Sequence, residues 1–188
     1  MITTVTKIEN YLLTDIDLSF HSQIEEWISV VEKDIENYTK RKFTPVTETR
    51  LFDGNGRTAI RIDDALSITK VEVSRDYYGN SFEELSDYLL FPNNTLPKTE
   101  IHLEKSWFNK GLQNVRITGV WGYSADVPED IQFAATVLVA GIINNQKENH
   151  KKASESIGDY KVVYGDNKQE KDYQRAMAIL DSYTKHFI

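Results

Sequence analysis

The sequence predicts an α+β protein: a helical part with an antiparallel β-sheet or small barrel inserted between the first long helix and a second, buried helix. Three observations carry this. The apolar period is helical up to about residue 46, close to two from Thr47 to about Tyr123, and helical again beyond. A strong turn, Asp53-Gly54-Asn55-Gly56, divides the first two alternating runs. From Ile131 onward the residues are apolar on more than one helical face, as in a helix covered from several sides. The predicted division is a helical part of residues 1–46 and 125–188 and a β lobe of residues 47–124.

Each element follows from its residues. Val5, Ile8, Tyr11 and Leu12 suggest a short helix leading into a loop through Asp15 and Asp17. Ser22 and Glu25 have capping-box spacing, which predicts a helix start there. Ile24, Trp27, Ile28, Val31, Ile35 and Tyr38 then form one stripe, and Lys40, Arg41 and Lys42 close the helix where positive charge suits the dipole. Strands are expected near 48–53, 57–62, 67–75, 86–91, 99–104 and 113–121, the first two as a hairpin. Pro128 fits a first helical position, with Glu129 and Asp130 placing acid in the first turn. Residues 147–152 read as a polar hinge. Asn167 and Glu170 then open a last amphipathic helix with its stripe on Tyr173, Ala176, Met177, Leu180, Tyr183 and Phe187.

Composition narrows the function classes. The chain has 188 residues, 40% hydrophobic and 27% charged, an ordinary globular balance. Its longest apolar stretch, Ile131 to Ile143, is shorter than the ~20 residues a bilayer span needs, so no membrane partner is expected. Nor does the N-terminal decapeptide have the pattern of a signal peptide. No cysteine is present, which removes disulfides, thiolate nucleophiles and cysteine-ligated zinc. A formal charge of −7 argues against a protein that coats nucleic acid, but suits one that surrounds DNA without gripping it.

Motifs for chemistry are absent. His21, His102, His150 and His186 lack metal-ligand spacing, so no metal or cofactor is expected. The run starting at Asp53 has Thr58 and Asp64 where a calcium loop needs glycine and glutamate. Asp63-Asp64 and Glu83-Glu84 are the acids a glycosidase would use, yet nothing sets a pair across a cleft. No nucleophile elbow, Walker loop or dinucleotide fingerprint occurs, and no catalytic residue is assigned. Lys40, Arg41 and Lys42 are candidates for phosphate contact, against the plainer reading of a solvated helix end. Trp107 and Phe108, between strands, either pack onto the sheet or protrude as an aromatic tip for a partner.

Ser154 to Tyr164 is the segment that points to assembly. It turns at Gly158 and ends in an alternating run, with Tyr160, Val162 and Tyr164 on one face and Lys161 and Val163 on the other. No second apolar run follows to make a hairpin. Ordering backbone costs about 1–2 kcal/mol per residue, so a strand here needs a partner from a distant sheet, another subunit or another protein.

Taken in order, ENYTKRKF, TRLFDGNG, ITKVEV, DYLLFP, NVRITGVWGY, VPEDIQFAATVLVAGI and SIGDYKVVY resemble the head-tail connector (adaptor, or head completion) proteins of long-tailed bacteriophages, from about Ile24 to Tyr164. The resemblance implies a structural virion protein, not an enzyme. It implies a helical connector core forming a homo-oligomeric ring, usually dodecameric, in the neck between capsid and tail, after synthesis in the host cytoplasm. The ring would sit under the portal protein, extend the DNA channel and offer a surface to a neck or tail-completion protein. Genomic DNA would pass through it without sequence specificity. Portal binding would fall to Ser156, Ile157, Gly158, Asp159, Tyr160, Val162 and Tyr164. Trp107 and Phe108 would form a tail-side tip, and Lys40, Arg41 and Lys42 would contact DNA phosphate. The alternatives are another neck or tail-completion (stopper) protein, or a carbohydrate-active enzyme built on the β lobe.

Overall fold

A computed structural model of the chain describes residues 1–152 and 167–185, with side chains described for 1–146 and 169–185. The described residues form an α+β fold of two compact units, residues 1–41 with 127–152 and 167–185, and residues 42–126.

The helical unit holds α1 (Val5–Leu12), α2 (His21–Thr39), α3 (Glu129–Lys152) and α4 (Asn167–Tyr183). The apolar circumference of α3 is used as expected: α1, α2 and α4 all pack on it, covering Ile131, Ala135, Val139 and Ala140. Ile24, Ile28, Val31 and Ile35 supply the facing stripe of α2. Thr3 and Thr136 satisfy each other inside this packing, with hydroxyl oxygens 2.7 Å apart.

Three details differ from the sequence reading. A 3-10 turn, Leu18–Phe20, leads into α2 from His21, and Asp17 caps that turn through Ser19, so Ser22 and Glu25 lie inside the helix and not at a capping box. Residues 147–152 continue α3 instead of forming a hinge, since they contain neither glycine nor proline to stop it. Leu13 and Lys40, which end α1 and α2, both adopt left-handed backbone, at φ 53° and 57°.

The β unit is an open antiparallel sheet of β1 (Val46–Gly54), β2 (Ala59–Ser74), β3 (Phe82–Leu85), β4 (Tyr88–Phe91), β5 (Lys98–Leu103) and β6 (Gly111–Trp121). Its order is β1-β6-β2-β5-β4, with β3 also on β2. The two strands flanking the Asp53–Gly56 turn do not pair with each other. Strand β6 lies between them, matching Val46 to Trp121 and Gly54 to Gly111 on one side and Ala65 to Trp121 on the other. The strands expected at 57–62 and 67–75 are one strand, β2, which changes partner. Residues 59–65 pair with β5 and 65–73 with β6, with register slips on both sides of Ala65. Both halves therefore line one core, in which Ile60, Ile62, Val71, Ile101, Ile117 and Trp121 are buried.

Candidate assembly surfaces

Ser156, Ile157, Gly158, Asp159, Tyr160, Val162 and Tyr164 lie outside the described residues. What is described is the framework that flanks them in sequence. Helix α4 is amphipathic, but only Ala176 and Leu180 are buried among its described side chains. Polar contacts do much of its holding. The Tyr11 hydroxyl donates to Asp172 at 2.7 Å, the Tyr38 hydroxyl donates to Asp181, and the Tyr183 hydroxyl reaches both carboxylate oxygens of Asp130 at 3.0 and 2.9 Å. The hydrogen bond to Asp181 holds the Tyr38 phenol above its usual range, since ionising the phenol would break that bond and put two negative charges together. Past the helix, the Lys185 amide donates to the Thr39 carbonyl at 2.9 Å. A cavity of about 560 Å³ opens between α2, α3 and α4, and its lining includes Asn145 and Gln169.

The basic triplet is split in role. Lys40 caps α2 and is exposed, and Lys42 is exposed while its carbonyl accepts from the Tyr123 amide at 2.8 Å. Arg41 is half-buried and its Nε donates to the Tyr183 carbonyl at 2.6 Å. It staples the end of α4 to the end of α2.

Trp107 and Phe108 also separate. Trp107 is 64% exposed, whereas Phe108 is fully buried. Phe108 cannot belong to a protruding tip. Its amide donates to the Arg57 carbonyl and its carbonyl accepts from the Gly56 amide, both at 2.9 Å, so the ring is drawn into the sheet core. Three loops meet around it, residues 53–57, 75–81 and 104–113. Asn114 ties two of them: Oδ1 accepts from the Gly54 amide at 2.8 Å and Nδ2 donates to the Asn109 carbonyl at 2.9 Å. The third joins through the Leu112 amide, which donates to the Tyr77 carbonyl at 2.8 Å. The approach is close enough that a Cβ at Gly54 would lie 1.8 Å from the Asn109 carbonyl oxygen. These loops also expose Tyr77, Tyr78 and Leu112, and the sequence reading missed all three. Their signal was the aromatic pair in a glycine- and asparagine-containing turn.

Three of the four acids considered for catalysis are engaged with cations, and Asp64 is buried in the sheet. Asp63 pairs with Arg50 at 2.8 Å, Glu83 with Arg75 at 3.1 Å and Glu84 with Lys70 at 3.7 Å. Among the described residues no group of three or more histidine, aspartate or glutamate side chains is placed to hold a metal ion. Among them, too, no helix is long and apolar enough to cross a membrane.

No protein-family model and no curated protein matches the chain. Solved structures do. A chain from the neck of the empty gene transfer agent (GTA) particle, computed with C6 symmetry, superposes with a TM-score of 0.58 at 11% identity, over 89% of this chain and 80% of its own length. One from the virion of the native gene transfer agent particle gives 0.57 at 12% identity, over 98% of this chain and 90% of its own. A third, from the neck of the native particle with C12 symmetry, gives 0.51 at 15%, over 98% and 89%. At such identities the likeness is one of fold, and it extends over both units.

Proposed function

We propose that this chain is a structural protein of a tailed-phage-type virion neck, a head-tail connector that assembles as a homo-oligomeric ring of twelve copies under the portal. The observation that carries this reading is the likeness of fold to neck and virion chains of gene transfer agent particles, over 89 to 98% of this chain. The order of sequence segments resembling phage connectors supports the same assignment independently. The helical unit forms the ring and faces the portal, and the β unit is a separate lobe. Residues 156–164 add a strand to the portal's edge, with Ser156, Ile157, Gly158, Asp159, Tyr160, Val162 and Tyr164 in contact. Strand addition suits a ring, because many modest contacts act together at high effective concentration. DNA passes through the channel with weak, sequence-independent contact from Lys40 and Lys42. The function needs no covalent chemistry and no cofactor.

The test is electron microscopy of the purified chain mixed with purified portal rings of the same particle. Decorated portals with matching rotational symmetry are expected. Because Leu180 and Ala176 of α4 belong to the helical core, the docking segment is tested by replacement and not by truncation. A Gly-Ser linker in place of residues 156–164 should remove portal decoration and leave the circular-dichroism spectrum unchanged. Undiminished decoration by this variant refutes the role of the segment. No decoration by the wild type refutes the connector assignment.

A further inference from the structure

The turn Asp53-Gly54-Asn55-Gly56 holds the dipeptide of this chain most prone to spontaneous chemical change. Asn55 is the only asparagine followed by glycine, and Asn80 the only one followed by serine. In such pairs the amide nitrogen of the following residue can attack the asparagine side chain, and glycine, without a Cβ, hinders the attack least. Hydroxide takes the amide proton, the nitrogen bonds to Cγ, the Cγ–Nδ2 bond breaks, and Nδ2 departs as ammonia with a proton returned from water. Water then opens the resulting succinimide at either carbonyl, leaving aspartate or isoaspartate.

The folded β unit holds every participant in this reaction. Asn55 and Gly56 are exposed, so water is not what is kept away. The Gly56 amide donates to the Phe108 carbonyl at 2.9 Å, so the proton that must leave is engaged. Asn55 Nδ2 donates to the Ala59 carbonyl at 2.8 Å, and its Oδ1 accepts from the Arg57 amide at 2.9 Å, which fixes the side chain at both polar ends. Phe108 is itself seated: its amide donates to the Arg57 carbonyl at 2.9 Å, its ring is fully buried, and Asn114 ties the neighbouring Gly54 and Asn109 together. Asn80 is held by nothing comparable. It is exposed, and among the described residues no hydrogen bond fixes its side chain or the Ser81 amide.

We infer that Asn55 is a latent self-modification site, closed to succinimide formation while residues 104–113 are seated on the turn, and converted to aspartate or isoaspartate when they lift from it. Its rate in the folded chain is the open fraction multiplied by the rate of the free dipeptide. Conversion is one-way. An aspartate at position 55 loses the Nδ2 donation and sets a carboxylate against the Ala59 carbonyl, and an isoaspartate lengthens the backbone by a methylene just ahead of the Gly56–Phe108 bond. An opening that reacts therefore leaves a turn that no longer closes as before.

The experiment incubates the full chain in mildly alkaline buffer at physiological temperature, either folded or in guanidinium chloride. Tryptic peptides are followed by mass spectrometry, with Asn55 read in the peptide Leu51–Arg57 and Asn80 located by fragmentation. In denaturant Asn55 is expected to deamidate ahead of Asn80. In the folded chain the order is expected to reverse, with Asn55 slowed by about tenfold or more. Asn114→Ala, which cuts the tie between the turn and residues 104–113, is expected to speed Asn55 by about fivefold or more while the chain stays folded by circular dichroism. Should that variant unfold, the folded-to-denatured ratio of the wild type still decides. A folded wild type in which Asn55 keeps its denatured rate within about twofold overturns the inference. So does one in which Asn55 still deamidates ahead of Asn80, or a folded Asn114→Ala with the wild-type rate.

Discussion

Arg116 on β6 grips Glu72 on β2 with both prongs of its guanidinium, Nε and Nη2 each lying 2.8 Å from a carboxylate oxygen. Lys70 adds a third contact at 2.9 Å, and the guanidinium stacks 4.2 Å from the centre of the Phe82 ring. Strands β2, β3 and β6 are thus joined by one charged cluster across the sheet face. The arginine and the lysine hold the Glu72 carboxyl down to about 2, from an ordinary 4.5. The unfolded chain therefore binds a proton that the folded one refuses. Stability from this pair is complete above pH 4.5 and is lost as pH falls from there towards 2. Acid unfolding of wild type and Glu72→Gln, followed by circular dichroism, should show a flatter dependence on pH for the variant in that window. Equal slopes would mean that the cluster contributes nothing to acid stability.

Adjacent Trp107 and Phe108 should behave as opposites. Phe108→Ala empties a fully buried site among Ile60, Leu103 and Val115, and should cost about 3–5 kcal/mol of β-unit stability. Trp107→Ala removes an exposed ring and should change stability by no more than about 0.5 kcal/mol. Urea titration monitored by circular dichroism distinguishes them. Similar losses for the two variants would contradict the burial difference.

What was legible in the sequence was whatever local pattern determines. The circumference of α3 is apolar because three helices cover it, so its burial could be read from residues 131–143 alone. The sheet as a class was legible because side chains alternate faces along every strand. Its pairing was not. Asp53–Gly56 has the residues of a tight hairpin, but β1 pairs with residues 57 to 75 positions later, and no local signal reports that choice. Asp63-Asp64 reads as a turn, yet Asp63 meets Arg50 while Asp64 is buried within a continuous β2. Arg41 looks like a free cation at a helix end until Tyr183, 142 residues away, claims it. Tyr77 and Leu112 failed to register for the same reason: they come from segments that meet only in the folded unit, where the Leu112 amide reaches the Tyr77 carbonyl.

Leu13 offers a stabilising change. It ends α1 with φ 53° and ψ 39° and is 87% exposed, so its side chain contributes almost no burial and strains the backbone. Leu13→Gly should raise stability of the helical unit by about 0.5–1 kcal/mol, because glycine adopts this conformation without a Cβ clash. Thermal melts at neutral pH measure it. A lower midpoint would indicate that the Leu13 side chain has a packing partner in solution.

The hydrogen bonds on α4 lead to a last expectation, about how the C-terminal part is held. Tyr183 is gripped at both ends: its hydroxyl by Asp130 at the start of α3, its carbonyl by Arg41 at the end of α2. Tyr183→Phe removes only the hydroxyl bond and should cost about 0.5–1.5 kcal/mol, an amount that a helix with two buried side chains among those described feels strongly. Leu180→Ala removes buried hydrocarbon as well and should cost about 2–5 kcal/mol. Hydrogen exchange read by mass spectrometry localises the effect. Exchange in α4 should accelerate several-fold in Tyr183→Phe and more in Leu180→Ala, while the buried strand β6 keeps the wild-type rate in both. Acceleration spread evenly over both units would mean that the chain unfolds as one body, and that α4 is not separately latched.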